Sequence, residues 1–463
     1  MTDSLDRAEN SSTGNPLSVT EQGRTYRSNI IVTSLIEIAT ILIRTVIGII
    51  VARMLGPAGR GEYALALLIP GIFIIFTALG FGEASATLIG KEKYNKEEVL
   101  GCLMTYVASV TVIVGIVYYA FQRPILNLVQ QGISAHVYTV SFLLVPLQLV
   151  WGSLSSILLG IGIIKKISYG RFLNNLIFLC AIVLVSFLYR LTPFIALFFF
   201  ICSWTAEVLY LYLCLNRHIP LRLRFNRNIL KEQFDFGIKL FWHSIFLQLN
   251  RRLDSYLLAY FRGNYSLGIY TVAVGLCEFV LTIPTVFTRV AFSLSVRAQT
   301  AESLRLTTVS IRQIAFLLVT STLILAVCMK PLILLLYSSK YIEAFRPALL
   351  LLPGIISLGL SDMLGSILVG QSKPQQQTIA SGVSCAVTVI LDLILIPRYG
   401  VSGASIASAI AYTTSAAYLI WVYKNLSQAT LKEMLVIRSE DLADYYRDIK
   451  RGIHAVLGRS NAA

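Results

Sequence analysis

From about residue 28 to residue 424 the chain consists of apolar runs of 20 or more residues, each long enough to cross a hydrocarbon core of about 30 Å. Inside a bilayer no water satisfies backbone amides and carbonyls, so segments of this kind close their own hydrogen bonds as helices. Charged residues make up only 14% of the chain, against roughly 25% in a soluble protein. The expected fold class is therefore all-α: a polytopic membrane protein with about 12 transmembrane helices. The spans read as about 28–52, 62–89, 98–121, 137–161, 167–189, 193–216, 236–261, 267–290, 307–329, 347–370, 375–396 and 401–423. Turn signals such as Gly56-Pro57-Ala58-Gly59 and Arg262-Gly263-Asn264 separate them.

Lys and Arg set the expected orientation. With the N-terminus in the cytoplasm, the tails and even-numbered loops hold 23 of these residues and the opposite loops about 9, which predicts that both termini are cytoplasmic. Residues 1–27 are polar and lack the apolar core of a signal peptide, so they read as a disordered cytoplasmic tail. The loop 217–235 is basic and reads as a cytoplasmic linker between two six-helix lobes, 28–216 and 236–424. The tail 425–463 spaces Leu431, Leu435, Leu442, Tyr445, Ile449, Ile453 and Val456 along one helical stripe, which suits a helix lying on the cytoplasmic leaflet. A formal charge of +15 thus follows from topology and lipid headgroups, and no nucleic-acid partner is expected. The seven cysteines stand singly and read as small buried hydrophobes. The four histidines are scattered, and no metal or cofactor is expected.

An offset of 207 residues brings the chain's two halves into register. Arg44 meets Arg251, Gly61 meets Gly268, Tyr63 meets Tyr270, Ala66 meets Ala273, Pro146 meets Pro353 and Gly152 meets Gly359. Shared leucines would mean little in so apolar a chain, whereas matched glycines, prolines and an intramembrane arginine point to duplication. Six spans per half is an even number, so both halves enter the membrane in the same direction. They form a parallel repeat about an axis along the membrane normal, with a cleft between them.

A basic side chain at the bilayer centre costs about 2.5–3.5 kcal/mol, so it persists where it is paired, snorkels or faces water. Span one carries Glu37 and Arg44, seven residues apart and on nearly the same stripe. Span seven gathers Lys239, His243, Ser244, Gln248, Asn250, Arg251, Arg252, Asp254 and Ser255 on one side, opposite an apolar arc. A cavity wall is the economical reading of that side, and locking of span seven against its neighbours is the alternative. Arg251 and Asp254 are three residues apart and are expected to pair on the helix surface, leaving Arg252 less compensated. Glu83, Glu207, Glu278, Asp362, Asp392 and Arg171 also lie in or near spans. Any of these carboxylates suits a proton or sodium site, or a packing role. Asn174 and Asn175 suit either sugar hydroxyls or helix contacts.

Two stretches carry a family resemblance: Ala52-Arg53-Met54-Leu55-Gly56-Pro57 with Gly61-Glu62-Tyr63-Ala64-Leu65-Ala66, and Gly370-Gln371 with Ile396-Pro397-Arg398-Tyr399-Gly400-Val401-Ser402-Gly403-Ala404. Over residues 28–424 the chain resembles the polysaccharide transporter branch, Wzx-like lipid-linked oligosaccharide flippases, of the multidrug/oligosaccharidyl-lipid/polysaccharide exporter superfamily. The resemblance implies two six-helix bundles in a bacterial inner membrane. By alternating access they would move an undecaprenyl-diphosphate-linked glycan from the cytoplasmic to the periplasmic leaflet, for surface polysaccharide made with polymerase and export machinery. It also implies a cationic cavity that receives the diphosphate, with Arg44, Arg251, Arg252, Lys239, His243 and Asn250 as binding candidates. No P-loop is present, so coupling to an ion gradient is expected, with Glu37, Asp254, Glu278 and Asp362 as candidates. The second half departs from the first in having Arg262-Gly263-Asn264 in place of Leu55-Gly56-Pro57, so only Gly268 and Tyr270 are expected to repeat cleanly. The related peptidoglycan-precursor flippases have two further spans. A multidrug or cation antiporter of the same superfamily and a membrane glycosyltransferase or polymerase are the alternatives. The first is expected to need an acidic, aromatic cavity and the second a sizeable catalytic loop.

Overall fold

The computed structural model describes residues 19–128, 132–220, 226–282 and 301–437. Among these residues thirteen α-helices follow one another: α1 (Val19–Ala78), α2 (Phe81–Gly90), α3 (Lys96–Ala120), α4 (Gln122–Leu128), α5 (Ala135–Ser141), α6 (Leu144–Gly160), α7 (Ile164–Leu188), α8 (Pro193–Asn216), α9 (Arg227–Glu278), α10 (Ala301–Leu332), α11 (Phe345–Gly370), α12 (Pro374–Ser427) and α13 (Leu431–Leu435). A π-helical turn, Ile333–Tyr337, and a 3₁₀ turn, Ser339–Ala344, join α10 to α11. Among the described residues nine helical stretches are long and apolar enough to cross a membrane. Three of them, Leu35–Ala78, Ser244–Leu281 and Pro374–Ser427, run to 44, 38 and 54 residues. About 20 residues suffice for one passage.

Each of those three is broken at one glycine with positive φ: Gly56 (φ 67, ψ 176), Gly263 (φ 73, ψ −176) and Gly400 (φ 57, ψ −129). Any other residue would be strained there, so the sequence ends one limb and starts the next at these points. Gly56 and Gly263 are 207 residues apart and share one backbone conformation. This corrects the expectation that the repeat resumes only at Gly268. The side chains on either side have changed, but the glycine that turns the chain has not.

The glycines that follow carry the repeat into packing. A Cβ at Gly61 would run into the backbone of Asn264, and a Cβ at Gly268 would run into the carbonyl of Pro57. Adding 207 to Pro57 gives Asn264, so the two contacts are one contact made twice, as across a local twofold axis. Tyr63 and Tyr270 are both buried beside it. The apolar core has the same reciprocity: Ala52 belongs to the cluster built mainly on α10–α12, and Ala259 and Leu267 to the cluster built on α1 and α5–α8.

Helix boundaries differ from the expected ones at both ends of the chain and at the linker. Helix α1 begins at Val19, within the expected disordered tail, and α9 begins at Arg227, within the expected linker loop. Asn226 caps α9 by accepting from the Asn228 amide at 3.1 Å, and the first turns of α9 pack on α2 and α3. There the Gln233 amide donates to the Ser85 hydroxyl at 2.8 Å, and Gly80 lies against the Gly237 backbone. The expected amphipathic tail starts as α13, held by a Thr430–Glu433 capping box, and its continuation from residue 438 lies outside the described residues. Cys102, Cys277 and Cys385 are buried as expected, whereas Cys180 and Cys202 are exposed on helix faces.

Candidate functional site

A cavity of about 340 Å³, walled mainly by the second half, has Arg44 from α1, Arg251, Arg252, Asp254, Ser255, Tyr270 and Glu278 from α9, and Tyr412 from α12 in its lining. The rest of the lining is mostly apolar, including Ile41, Leu351 and Ile355. The break at Gly263 brings both limbs of α9 to the cavity, so residues 27 positions apart along one helix, Arg251 and Glu278, share it. Arg44 reaches it from the other half at the position 207 residues before Arg251.

The three arginines are held differently. Arg251 donates Nη2 to both carboxylate oxygens of Asp362 on α11, at 2.9 and 3.1 Å. That pair replaces the expected Arg251–Asp254 pair, because the Asp254 carboxylate is taken up by other donors. It accepts from the Tyr270 hydroxyl, from the Ser408 hydroxyl at 3.0 Å and from the Ser255 amide at 2.5 Å. Arg44 and Arg252 have no hydrogen-bond or ion-pair partner among the described residues and face the open space. The charged groups acting on Arg44 are Glu278, Arg171 and Arg252. The lining thus carries three guanidinium groups, two of them without partners among the described residues, beside the carboxylates of Glu278 and Asp254. Each guanidinium offers paired N–H groups that match phosphate oxygens.

Other candidates fall elsewhere. Asn250 is buried and accepts the Thr388 hydroxyl at 2.6 Å, so it joins α9 to α12 rather than lining the cavity. Lys239 and His243 belong to α9, but their side chains lie outside the described residues. Glu37 is half-buried on α1 and is absent from the cavity lining. Of the ion-coupling candidates, Asp254 and Glu278 line the cavity, and Asp362 meets it only through Arg251.

Two features were weakly marked in the sequence. Arg171, on α7, stacks over the Trp151 ring at 5.4 Å from its centroid. Trp151 in turn donates to the buried Glu207 at 2.6 Å, and Asn174 donates to the other carboxylate oxygen at 2.8 Å. Asn174 therefore joins helices and is not free for a sugar. Asp392 on α12 is fully buried, and neither carboxylate oxygen has a hydrogen-bond partner among the described residues. It lies within electrostatic reach of Asp254. A membrane carboxylate is signal enough to name such a residue, but only the packing distinguishes an orphan from a paired one.

Fold and cavity define the class: an all-helical, multi-pass membrane protein whose repeated halves both contribute to one cavity. The lipid II flippase MurJ in an inward closed conformation superposes with a TM-score of 0.75 at 15% identity, over 87% of this chain and 89% of that one. An inward-facing multidrug resistance MATE transporter of the MOP superfamily gives 0.69 at 14% identity, over 84% and 94%. An outward-facing structure of a MATE transporter gives 0.60 at 15%, over 87% and 96%. These likenesses establish the fold. Residues 50–346 match the polysaccharide biosynthesis protein family, and the chain belongs to that family. No curated protein matches it by sequence. The resemblance read from the turn motifs is met at the level of family and fold.

Proposed function

We propose that the chain flips an undecaprenyl-diphosphate-linked oligosaccharide from the cytoplasmic to the periplasmic leaflet of a bacterial inner membrane by alternating access. The observation that carries this reading is the placement of Arg44 and Arg252, from different halves, unpaired on one cavity. A diphosphate crossing the membrane needs such donors, while its lipid tail stays in the bilayer and only the head group enters the cleft. Each glycine-broken helix is read as two passages, giving twelve spans in two six-helix lobes, with the N-terminus, the linker and the C-terminus cytoplasmic. A polysaccharide polymerase and export machinery would receive the product.

Coupling to an ion gradient is assigned to Asp254 and Asp392 in the second half. A buried carboxylate without donors is stable only if it is protonated or holds a cation, and Asp392 has no donor among the described residues. Flipping of a defined lipid-linked oligosaccharide in proteoliposomes, with and without a proton or sodium gradient, tests both parts. Movement of cationic drugs with no movement of lipid-linked sugar would transfer the chain to the antiporter reading, which the exposed arginines disfavour. Sugar transfer without flipping would favour the glycosyltransferase or polymerase reading.

A further inference from the structure

Two more arginines stand at the Gly56 end of the cleft, one on each side of the break. Arg53 donates Nε to the Leu336 carbonyl at 2.6 Å and Nη2 to the Leu335 carbonyl. Both acceptors belong to the other half, in the π-turn that ends α10, and the chain leaves that turn at Ser338 with φ 81. Carbonyls at a helix end carry partial negative charge. Arg53 thus grips two neighbouring oxygens through adjacent N–H groups, as a guanidinium grips two oxygens of a phosphate. Beside it the Tyr341 hydroxyl donates to the Ala52 carbonyl at 2.8 Å, so this end is shut by bonds between the halves.

Arg60 is held by much less. Its guanidinium lies 5.7 Å from the Tyr63 ring centroid, and its Nε is buried with no hydrogen-bond partner among the described residues. The neighbouring carboxylate of Glu62 accepts the Ser134 amide at 3.1 Å and does not pair with it. When the halves part at this end, Arg53 loses both carbonyls while Arg60 still lacks a partner.

We propose that Arg53 and Arg60 form a second anion site, at the exit end of the cleft, for the phosphate group of a lipid. The Leu335 and Leu336 carbonyls are its stand-in while that end is shut. The Arg53–carbonyl bonds set a full charge against a partial one, whereas an anion sets a full charge against a full charge and adds Coulomb attraction. The anion binds only the parted state, so its binding favours opening. That the phosphate belongs to the lipid-linked diphosphate rests on the proposed function. The site's affinity for phosphate does not.

The test uses the full chain in nanodiscs, carrying Arg44→Gln and Arg252→Gln so that the central cavity does not compete. Gly268→Ala is added because its Cβ would collide with Pro57 and part the exit end. Inorganic pyrophosphate is titrated. We expect Arg60→Gln, and separately Arg53→Gln, to weaken binding tenfold or more. Unchanged affinity in both would overturn the site. Should Gly268→Ala prevent folding, Arg60→Gln is compared in the chain that keeps Gly268. It removes no hydrogen bond there, so a purely structural role predicts no change. Zwitterionic and phosphatidylglycerol nanodiscs separate the sources: equal affinity assigns the site to the lipid-linked diphosphate, and competition by phosphatidylglycerol assigns it to bilayer headgroups. Intact flipping with unchanged pyrophosphate affinity defeats the exit site alone. Arginine-dependent affinity without flipping defeats the export reading alone.

Discussion

Arg251 and Arg252 are adjacent in sequence, yet their substitutions are expected to act differently. Arg252 makes no ion pair among the described residues, so Arg252→Ala is expected to leave thermal unfolding within about 0.5 kcal/mol of the parent and to lower flipping tenfold or more. Arg251→Ala strands the half-exposed carboxylate of Asp362, a loss on the order of 1 kcal/mol, and adding Asp362→Ala should recover part of it. Unfolding in detergent and flipping in proteoliposomes, measured on the same preparations, separate the two effects. Equal stability loss in both single variants would contradict the assignment. Asp392→Asn makes the converse case. Neutralising a buried carboxylate without donors should hold or raise stability while flipping loses its dependence on the gradient. The charged residues themselves were legible in the sequence, because an arginine or aspartate inside an apolar run stands out. Their partners were not. Arg251 and Asp362 are separated by 111 positions, and a helical projection of span seven offered only Asp254 as a neighbour.

At the scale of elements, the spans were legible from hydropathy, and the breaks from Gly-Pro and Gly-Asn turn signals. The shared backbone conformation of Gly56 and Gly263 was not. Both positions are glycine at the 207-residue offset, but Leu55 and Pro57 have become Arg262 and Asn264, and only the shared positive φ shows that the two glycines make the same turn. The consequence is a turn used twice, with the two following helix limbs in backbone contact at Gly61 and Gly268. Gly61→Ala or Gly268→Ala should force those limbs apart and hold the Gly56 end open. Gly237→Ala, whose Cβ would run into the Leu79 carbonyl, should do the same at the linker end. Cysteine accessibility at each end, probed with a membrane-impermeant reagent, reads the outcome. The two classes of variant are expected to show opposite patterns. Identical patterns would mean that the contacts do not report on the two ends separately.

For the whole molecule, alternating access requires that the two ends not open together, so the bonds closing each end set the balance between states. The Gly56 end is held by backbone contact and by Arg53. The linker end has the Gly80–Gly237 approach and an ion pair in the open, Lys93 Nζ to Glu232 Oε1 at 2.7 Å, with the Tyr94 hydroxyl donating to the same oxygen at 2.9 Å. Lys93 and Tyr94 hold the Glu232 carboxyl below its ordinary pKa, and the bond to Glu232 holds the Lys93 ammonium above its own. The signs follow from linkage. A depressed carboxyl contributes its stabilisation above the ordinary glutamate value and loses it as pH falls through the lowered one. A raised ammonium contributes below the ordinary lysine value and loses it as pH rises through the raised one. The pair is therefore constant across neutral pH, and the linker end loosens only on the acid side of the glutamate range or the alkaline side of the lysine range. Being exposed, it shifts the balance modestly and less at high salt. A spin-label distance between the α2–α3 turn and the first turns of α9 should stay fixed from pH 6 to pH 8 (about two units of neutral range) and lengthen below about pH 4. Glu232→Gln should give the longer distance at neutral pH and abolish the acid step. A transition centred near neutrality would instead place the sensor on a different group. The ion-coupled step assigned to Asp254 and Asp392 would then have to act on the linker end directly. With the pair insensitive at neutral pH, the proposed step would act from within the second half, through α9 and α12, which Asp254 joins by its bond from Ser408.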